Sequence, residues 1–506
     1  MNANTSIKFK FMKPQHFFLL LFVFLSTVTL AQQYPTGLVF DETRYADMPT
    51  IAPETKSKYR DPILMPPSFS LEKYCPAPGS QGQLGACVTW ASSYGARTIL
   101  YAIRKGITDR ATITREAFSP SYVFNQIKID PDCINGSAYP DAFNILTRQG
   151  CDKLKHHPYT CDYGGPDPAS RQRAAFYKVK ETFRLNTAEY DPKFLIKRCL
   201  TSKLPVLIGM VTYRSFGRPC EGQKFWSGKQ DTLMGGHAMV VVAYDDKIID
   251  GGAVKVMNSW GAKWGTDGFI WIRWADLLAN TKEYFTVVDF DAPVVEADEA
   301  PTPKPQPQAD DLKTDPKNAF TFEMIMVTSD LKEMPVRLNP SATRDFGIVK
   351  AASQNTYKTI QPYATGTEFR LYLKCNQPAY LYLLGYGSMT KRVFTLYPFD
   401  RYSPYFPLPN TAIAIPSDDF NIVLDENIGK DYLCLIYSRE PLEIETLRAQ
   451  IEKSPHPAFS DKVKAVFGDR IATGSDLTFA PDRIGLRANL RNKSVVPVIV
   501  EMEHVK

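Results

Sequence analysis

A chain of 506 residues, 44% apolar and 23% charged, is long enough for several folded units, and its ordinary composition excludes a disordered or collagen-like protein. Its formal charge of +6 falls to +3 once residues 1–31, with Lys8, Lys10 and Lys13 and no acid, are set aside. That near balance, without a basic stripe or a polybasic patch, argues against nucleic acid or an anionic membrane surface as a partner.

The lysines precede an apolar run, Phe17-Phe-Leu-Leu-Leu-Phe-Val-Phe-Leu25, and Thr29-Leu-Ala31 supplies small residues at a cleavage position. Residues 1–31 are therefore predicted to be a secretory signal peptide. The run is short for a membrane span, and no cysteine follows it for lipidation. No later stretch is apolar enough to cross a membrane. The mature chain is expected to be exported, periplasmic or extracellular, without stable membrane insertion. Residues 32–65 form a short, polar, irregular extension.

Gln81-Gly-Gln-Leu-Gly-Ala-Cys-Val-Thr-Trp-Ala-Ser-Ser-Tyr-Gly95 follows as a glycine-rich loop leading into helical spacing. Val88, Ala91, Gly95, Ile99 and Ala102 recur at three and four residues, a period that predicts one buried helix face. Cys87 opens this helix, where the macrodipole favours negative charge and makes a thiolate accessible near neutral pH. Asp141–Gly150 reads as a second helix with a glycine stop. Cys151 to Cys161, with His156 and His157, reads as a polar loop. Nine cysteines in an exported chain imply an oxidising compartment. One nucleophile and eight others permit four bridges, with Cys151–Cys161 the favoured local pair. A zinc site from Cys151, His156, His157 and Cys161 is disfavoured, since adjacent histidines do not readily converge on one metal. The prediction is no metal and no cofactor.

Pro205–Tyr213 begins a strand-rich region that continues through Ala238–Tyr244, Val254–Gly261, Phe269–Arg273 and Phe285–Val288. His237 stands at the mouth of the second of these strands, after Gly235-Gly236, and Asn258 and Trp260 end the third. An amide oxygen there can accept one imidazole N–H and aim the other nitrogen at sulfur, the Cys-His-Asn form of the nucleophilic triad.

In Gln81-Gly82, Gly85-Ala86-Cys87, Gly236-His237-Ala238 and Asn258-Ser259-Trp260-Gly261, with Trp264-Gly265 and Gly268-Phe269, the chain resembles papain-like (C1-type) cysteine peptidases. The Cys87–His237 separation of 150 positions sits at the upper edge of the roughly 130–150 typical of that family, and Asn258 at 171 implies a modest insertion. The resemblance implies an α+β papain-like fold of two lobes, a helical one over 66 to about 185 and a β-barrel-like one after it, with the cleft between them. It implies that Cys87, His237 and Asn258 are catalytic, that Gln81 and the Cys87 N–H form the oxyanion hole, and that Trp260 shields the His–Asn bond. Gly85, Gly236, and Gly136 with Ser137 in Cys133-Ile-Asn-Gly-Ser-Ala-Tyr-Pro140 would line the substrate wall.

Leu84 and Val88 replace the family's usual cysteine and aromatic, which removes a familiar disulfide whose usual partner matches Cys133. Residues 32–65 are too few to fold as the family's long inhibitory propeptide. Either the enzyme is not a conventional zymogen, or another part of the chain restrains it. The peptidase unit is expected over 66–291.

Residues 292–318, rich in proline and charge, read as an extended linker. From 319 to 506, Phe320–Val327, Glu368–Lys374, Ala379–Leu384, Phe394–Tyr397, Tyr432–Tyr437 and Val495–Glu501 read as strands, and Leu442–Phe467 as one or two amphipathic helices. This predicts a mainly β, sandwich-like unit, and its pattern resembles an uncharacterised accessory domain found beside bacterial peptidases and kinases. Binding of another protein or a cell-envelope component is left open for it. His456 and His504 are given no partners.

The expected function is hydrolysis of protein or peptide substrates through a thioester acyl-enzyme. The alternatives are a non-catalytic binding or scaffold protein on the same fold, and a thiol acyltransferase or peptide ligase.

Overall fold

The structure, a computed structural model, describes residues 34–52, 54–55, 65–162, 164–290, 319–339, 356–472, 476–490 and 493–506. The predicted signal peptide and the 292–318 linker lie outside the described residues.

The helix that begins at Cys87 is the axis of the first unit. Its α-helical ends, Cys87–Thr89 and Thr98–Lys105, flank a π-helical stretch, Trp90–Arg97. The predicted apolar positions are buried, but so is every other residue from Cys87 to Ala102. The helix is therefore central rather than amphipathic, packed by helices Pro120–Ile127 and Tyr139–Arg148 and by the sheet. Its small residues make that close approach possible. Arg97, fully buried, donates to the Tyr177 carbonyl at 2.9 Å and pairs with Asp289 at 3.2 Å, while Arg104 reaches the same carboxylate at 2.7 Å.

Seven strands form the sheet: β1 (Ser68–Ser70), β2 (Glu181–Arg184), β3 (Val206–Tyr213), β4 (Leu233–Asp245), β5 (Ala253–Met257), β6 (Phe269–Arg273) and β7 (Thr281–Val288). All pairings are antiparallel, in the order β2-β7-β3-β4-β5-β6, with β1 on β4. The sheet is nearly continuous in apolar burial along β3 and β4 because it is covered on both faces. β2 stands at one edge.

The favoured Cys151–Cys161 pair does not form. Cys161 is bonded to Cys133, across 28 residues, and the other seven cysteines are buried free thiols. Cys151 lies in the core, its thiol directed at the Ser119 carbonyl at 3.3 Å, whereas Cys161 lies toward the surface beside the Cys133 turn. Spacing put Cys151 and Cys161 together; burial separated them. Four bridges become one, since the remaining thiols sit in packed interiors. The loop is fastened by Asp152, bonded to Arg173 at 2.8 Å and to Ser170 at 2.8 Å, and His157 faces Ser170 at 3.3 Å.

The second unit has two facing sheets. One runs β14 (Val393–Tyr397), β13 (Ala379–Gly387), β18 (Gly429–Ser438), β21 (Val495–Val505), β10 (Thr356–Thr359) and β9 (Val336–Leu338), with β11 (Tyr363–Ala364) on β21 and β15 (Tyr405–Phe406) on β13. The other runs β16 (Ala412–Ile415), β12 (Glu368–Cys375), β8 (Phe320–Thr328), β20 (Ile484–Ala488) and β19 (Leu477–Phe479), with β17 (Ile422–Val423) on β12. Stacking of Phe320 on Tyr437, centroids 3.7 Å apart, joins them. The architecture as a whole is α+β with a mainly β C-terminal region. Helices Ile444–Lys453 and Phe459–Phe467 match the amphipathic stretch. His504 corrects the sequence reading: its Nδ1 faces Asp431 at 2.9 Å and its Nε2 faces Thr365 at 2.9 Å. Antiparallel pairing of β18 with β21 brings these distant positions together.

Candidate active site

Three elements converge at the start of the central helix. Cys87 is its first residue, completely buried, and its sulfur is approached by the backbone N–H groups of Ala238, Val88 and Cys87 itself. His237 lies within β4, opposite Met210 of β3, so pairing with β3 fixes its backbone. Pairing of Val240 with Met257 then carries Asn258, just past β5, back toward the histidine.

His237 Nε2 meets Asn258 Oδ1 at 2.7 Å, and the imidazole stacks on Trp260 with centroids 4.2 Å apart. Its Nδ1 has no hydrogen-bond partner among the described residues. Asn258 Oδ1 also accepts the Ser259 N–H at 2.7 Å. The Gln81 side chain is held from one end, where its Oε1 accepts from the Ser259 hydroxyl at 2.6 Å. Its Nε2 donates to the Leu84 carbonyl at 2.8 Å and turns toward the cleft.

Residues 34–40 fill that cleft. Gln81 Nε2 lies 3.3 Å from the Pro35 carbonyl and 3.4 Å from that of Thr36, and Trp260 Nε1 donates to the Pro35 carbonyl at 2.9 Å. Tyr34 stacks on the outer face of Trp260 at 4.9 Å. Gly37 and Leu38 donate to the Gly236 carbonyl at 3.3 and 3.1 Å. A parallel bridge joins Leu38 to Ser137, with Ser137 N–H on the Gly37 carbonyl at 2.9 Å and Val39 N–H on the Ser137 carbonyl at 3.0 Å. Contact is closest where glycine meets glycine: a Cβ on Gly136 would lie 1.8 Å from the Gly37 oxygen, and one on Gly37 would lie 2.2 Å from the Gly85 oxygen. Gly37, at φ 142°, adopts a conformation that side chains disfavour. Leu38 is inserted over Gly209 beside the buried Glu283, whose Oε1 accepts the Asp41 N–H at 3.3 Å.

Covering the site changes its electrostatics. Burial pushes the Cys87 thiol up to about 12, with the three backbone N–H groups opposing, and pushes His237 down to about 4 against its bond to Asn258. The thiolate expected from the helix start is therefore not the form favoured here: desolvation outweighs the helix terminus and holds thiol and imidazole neutral.

The profile of the papain family cysteine protease matches residues 79–283, a span that contains all of these side chains except those of residues 34–40. Residues 79–283 are a papain-family cysteine-peptidase domain. A cathepsin B-like CP2 of Giardia intestinalis is 24% identical over 231 residues, covering 42% of this chain and 71% of its own. An uncharacterized peptidase C1-like protein L477 of Acanthamoeba polyphaga mimivirus is 27% identical over 207 residues, covering 37% and 61%. Xylellain, a cysteine protease from Xylella fastidiosa, is a solved structure with a TM-score of 0.41 and 21% identity, over 52% of this chain and 99% of its own. Residues 362–441 match a domain of unknown function, DUF4384.

His237, Asn258, Gln81 and Trp260 come together beside the helix that begins at Cys87, with no hydrogen bond from His237 Nδ1 to the sulfur, and Gly85, Gly136, Ser137 and Gly236 lie along the occupied wall. Sequence reasoning passed over three things. Ser259 orients Gln81, and only its place inside the Asn-Ser-Trp-Gly run hinted at a role. Glu283 sits in a strand with no motif. Residues 34–40 carry no periodicity, and their contacts are mostly backbone, which no side-chain pattern announces.

Proposed function

We propose that this chain is an exported papain-like peptidase that hydrolyses peptide bonds of protein or peptide substrates through Cys87, His237 and Asn258, and that residues 34–40 hold it latent. The observation that carries this reading is the imidazole fixed between the Asn258 amide at 2.7 Å and the Trp260 face, on the strand whose Ala238 N–H touches the Cys87 sulfur. With the cleft open, water lowers the desolvation cost and the pair can exchange its proton to give thiolate and imidazolium. Sulfur attacks the carbonyl carbon, a C–S bond forms, and the oxyanion is received by Gln81 Nε2 and backbone N–H groups. His237 Nδ1 gives its proton to the leaving amine as the C–N bond breaks. Water, deprotonated by the same nitrogen, then attacks the thioester; the C–S bond breaks and the acid is released. No cofactor enters any step.

Removal of residues 1–31 during export and an extracellular or periplasmic destination belong to the same proposal, supported by the apolar run after Lys13 and by the Cys133–Cys161 disulfide. So do the boundaries 66–291 for the peptidase unit and 319–506 for the C-terminal unit. Cys87→Ala, in a chain whose cleft has been opened, should abolish both peptide hydrolysis and labelling by a thiol-directed peptidyl inhibitor. Hydrolysis that survived in a folded Cys87→Ala protein would refute the assignment.

A further inference from the structure

Residues 34–55 have two halves with different partners. The first half lies in the cleft and touches only the peptidase unit. The second, after the short helix Glu42–Asp47, runs into the seam between the two units. There Pro49 accepts from the Arg184 N–H at 3.1 Å, at the free edge of β2, while Thr50 pairs on its other side with the C-terminal unit. Thr50 N–H donates to the Arg401 carbonyl at 3.0 Å, and Ser403 N–H to the Thr50 carbonyl at 2.9 Å. Thr55 N–H donates to Ala412 at 2.9 Å, and the Thr55 hydroxyl donates to Asp418 at 2.5 Å. The Arg401 side chain meets Asp47 at 3.0 Å and also donates to the Ala46 carbonyl. Thr50 and Thr55 are 2% and 1% exposed, so both units close over them.

We propose that the C-terminal unit is the clamp that keeps residues 34–40 in the cleft: its 401–418 segment grips Ala46, Asp47, Thr50 and Thr55 and so sets the latency of the peptidase. The inference rests on the peptidase reading above. A short segment held in the cleft by backbone hydrogen bonds, the Tyr34 stack and the buried Leu38 stays there longer when it is tethered, and a tether anchored a few residues away raises its effective concentration at the site. The C-terminal unit supplies that anchor on the side the peptidase leaves open. Direct contacts beside the strap align the two halves of the grip: Arg198 donates to Pro409 at 3.1 Å, and Lys180 lies 3.9 Å over the Tyr405 ring. A role thereby falls to a unit in which no catalytic constellation is needed.

The experiment uses the full chain and measures labelling of Cys87 by a thiol-directed peptidyl inhibitor, hydrolysis of a fluorogenic peptide, and the melting curve. Arg401→Ala/Asp418→Ala leaves residues 34–55 and the peptidase sequence intact and should speed labelling and hydrolysis about tenfold, the factor expected from losing three weak polar contacts. Gly37→Val, which cannot fit against Gly85, ejects the strap from the cleft directly and should raise both by more. If the double variant melts early, Thr55→Val removes the Asp418 bond from the other side and should speed labelling in the same direction, by about two- to threefold. Fast labelling of Gly37→Val with clamp variants no faster than the parent overturns the clamp and leaves the peptidase reading standing. Gly37→Val that is folded yet neither labelled nor active overturns the peptidase reading, and the clamp with it.

Discussion

Glu283 is expected to make the proposed latency depend on pH. Under the strap, burial pushes its carboxyl from the ordinary 4.5 up to about 7; Asp41 and Glu42 of the strap add to the rise, and the Asp41 N–H opposes it. Arg44, the nearest strap cation, is committed to Asp41 at 2.6 Å and to Asp141 at 2.6 Å. The closed cleft therefore binds a proton that an open, hydrated Glu283 releases. Below pH 4.5 both forms are protonated and closure is unpenalised; between 4.5 and 7 the penalty grows, and above 7 it is constant. An unscreened shift of this size is worth a factor of about 300 in the opening equilibrium, and residual solvent reduces it to about 10–100. The assay compares Cys87 labelling of the parent chain with that of Gly37→Val between pH 5 and 8. Because Cys87 and His237 also titrate differently in closed and open forms, Glu283→Gln isolates the contribution of this carboxyl. The advantage of Gly37→Val over the parent should shrink about 10–100-fold as pH rises from 5 to 7.5, and part of that slope should vanish in the Glu283→Gln background. An advantage independent of pH, or a slope identical with and without the carboxyl, would refute the reasoning.

Three further outcomes follow from individual contacts. Ser259→Ala frees the Gln81 amide from its 2.6 Å partner and should lower kcat about tenfold in a Gly37→Val background with the melting curve unchanged; an unaltered kcat would remove Gln81 orientation from the mechanism. Asp289→Ala leaves Arg97 and Arg104 without their shared carboxylate and should destabilise the peptidase unit by about 3–5 kcal/mol in denaturant unfolding, where a loss under about 1 kcal/mol would contradict the buried pairing. Peptide mapping without reductant should recover Cys133 joined to Cys161 and Cys151 free, and Cys133→Ser should cost about 2–4 kcal/mol; recovery of a Cys151–Cys161 peptide would contradict the Cys133–Cys161 bond.

Much of the site was legible because its chemistry is written locally. Cys87 before a helical period, His237 leading a strand and Asn258 closing another each carry a signal within a few residues. The helix was found for the right reason, but its surroundings were not: spacing indicates an apolar face, and only packing reveals that neighbours cover the remaining faces. His504 had no partner in sequence because Asp431 reaches it through strand register, which the order of residues does not display. Glu283 was invisible for the same reason, since a carboxylate in a strand becomes unusual only when something covers it.

The sequence by itself determined which side chains are candidates for chemistry here, and roughly which elements carry them, because a thiol, an imidazole and an amide are fixed by residue identity and their elements by short-range propensity. Only the tertiary structure decided what those atoms face. It chose Cys133 over Cys151 as the partner of Cys161, laid a mainly apolar, aperiodic segment in the cleft, and put the chain that follows it against the C-terminal unit. These outcomes depend on which surfaces meet when the chain closes on itself, and backbone hydrogen bonds, being common to almost every residue, leave no mark in the sequence by which to foresee them.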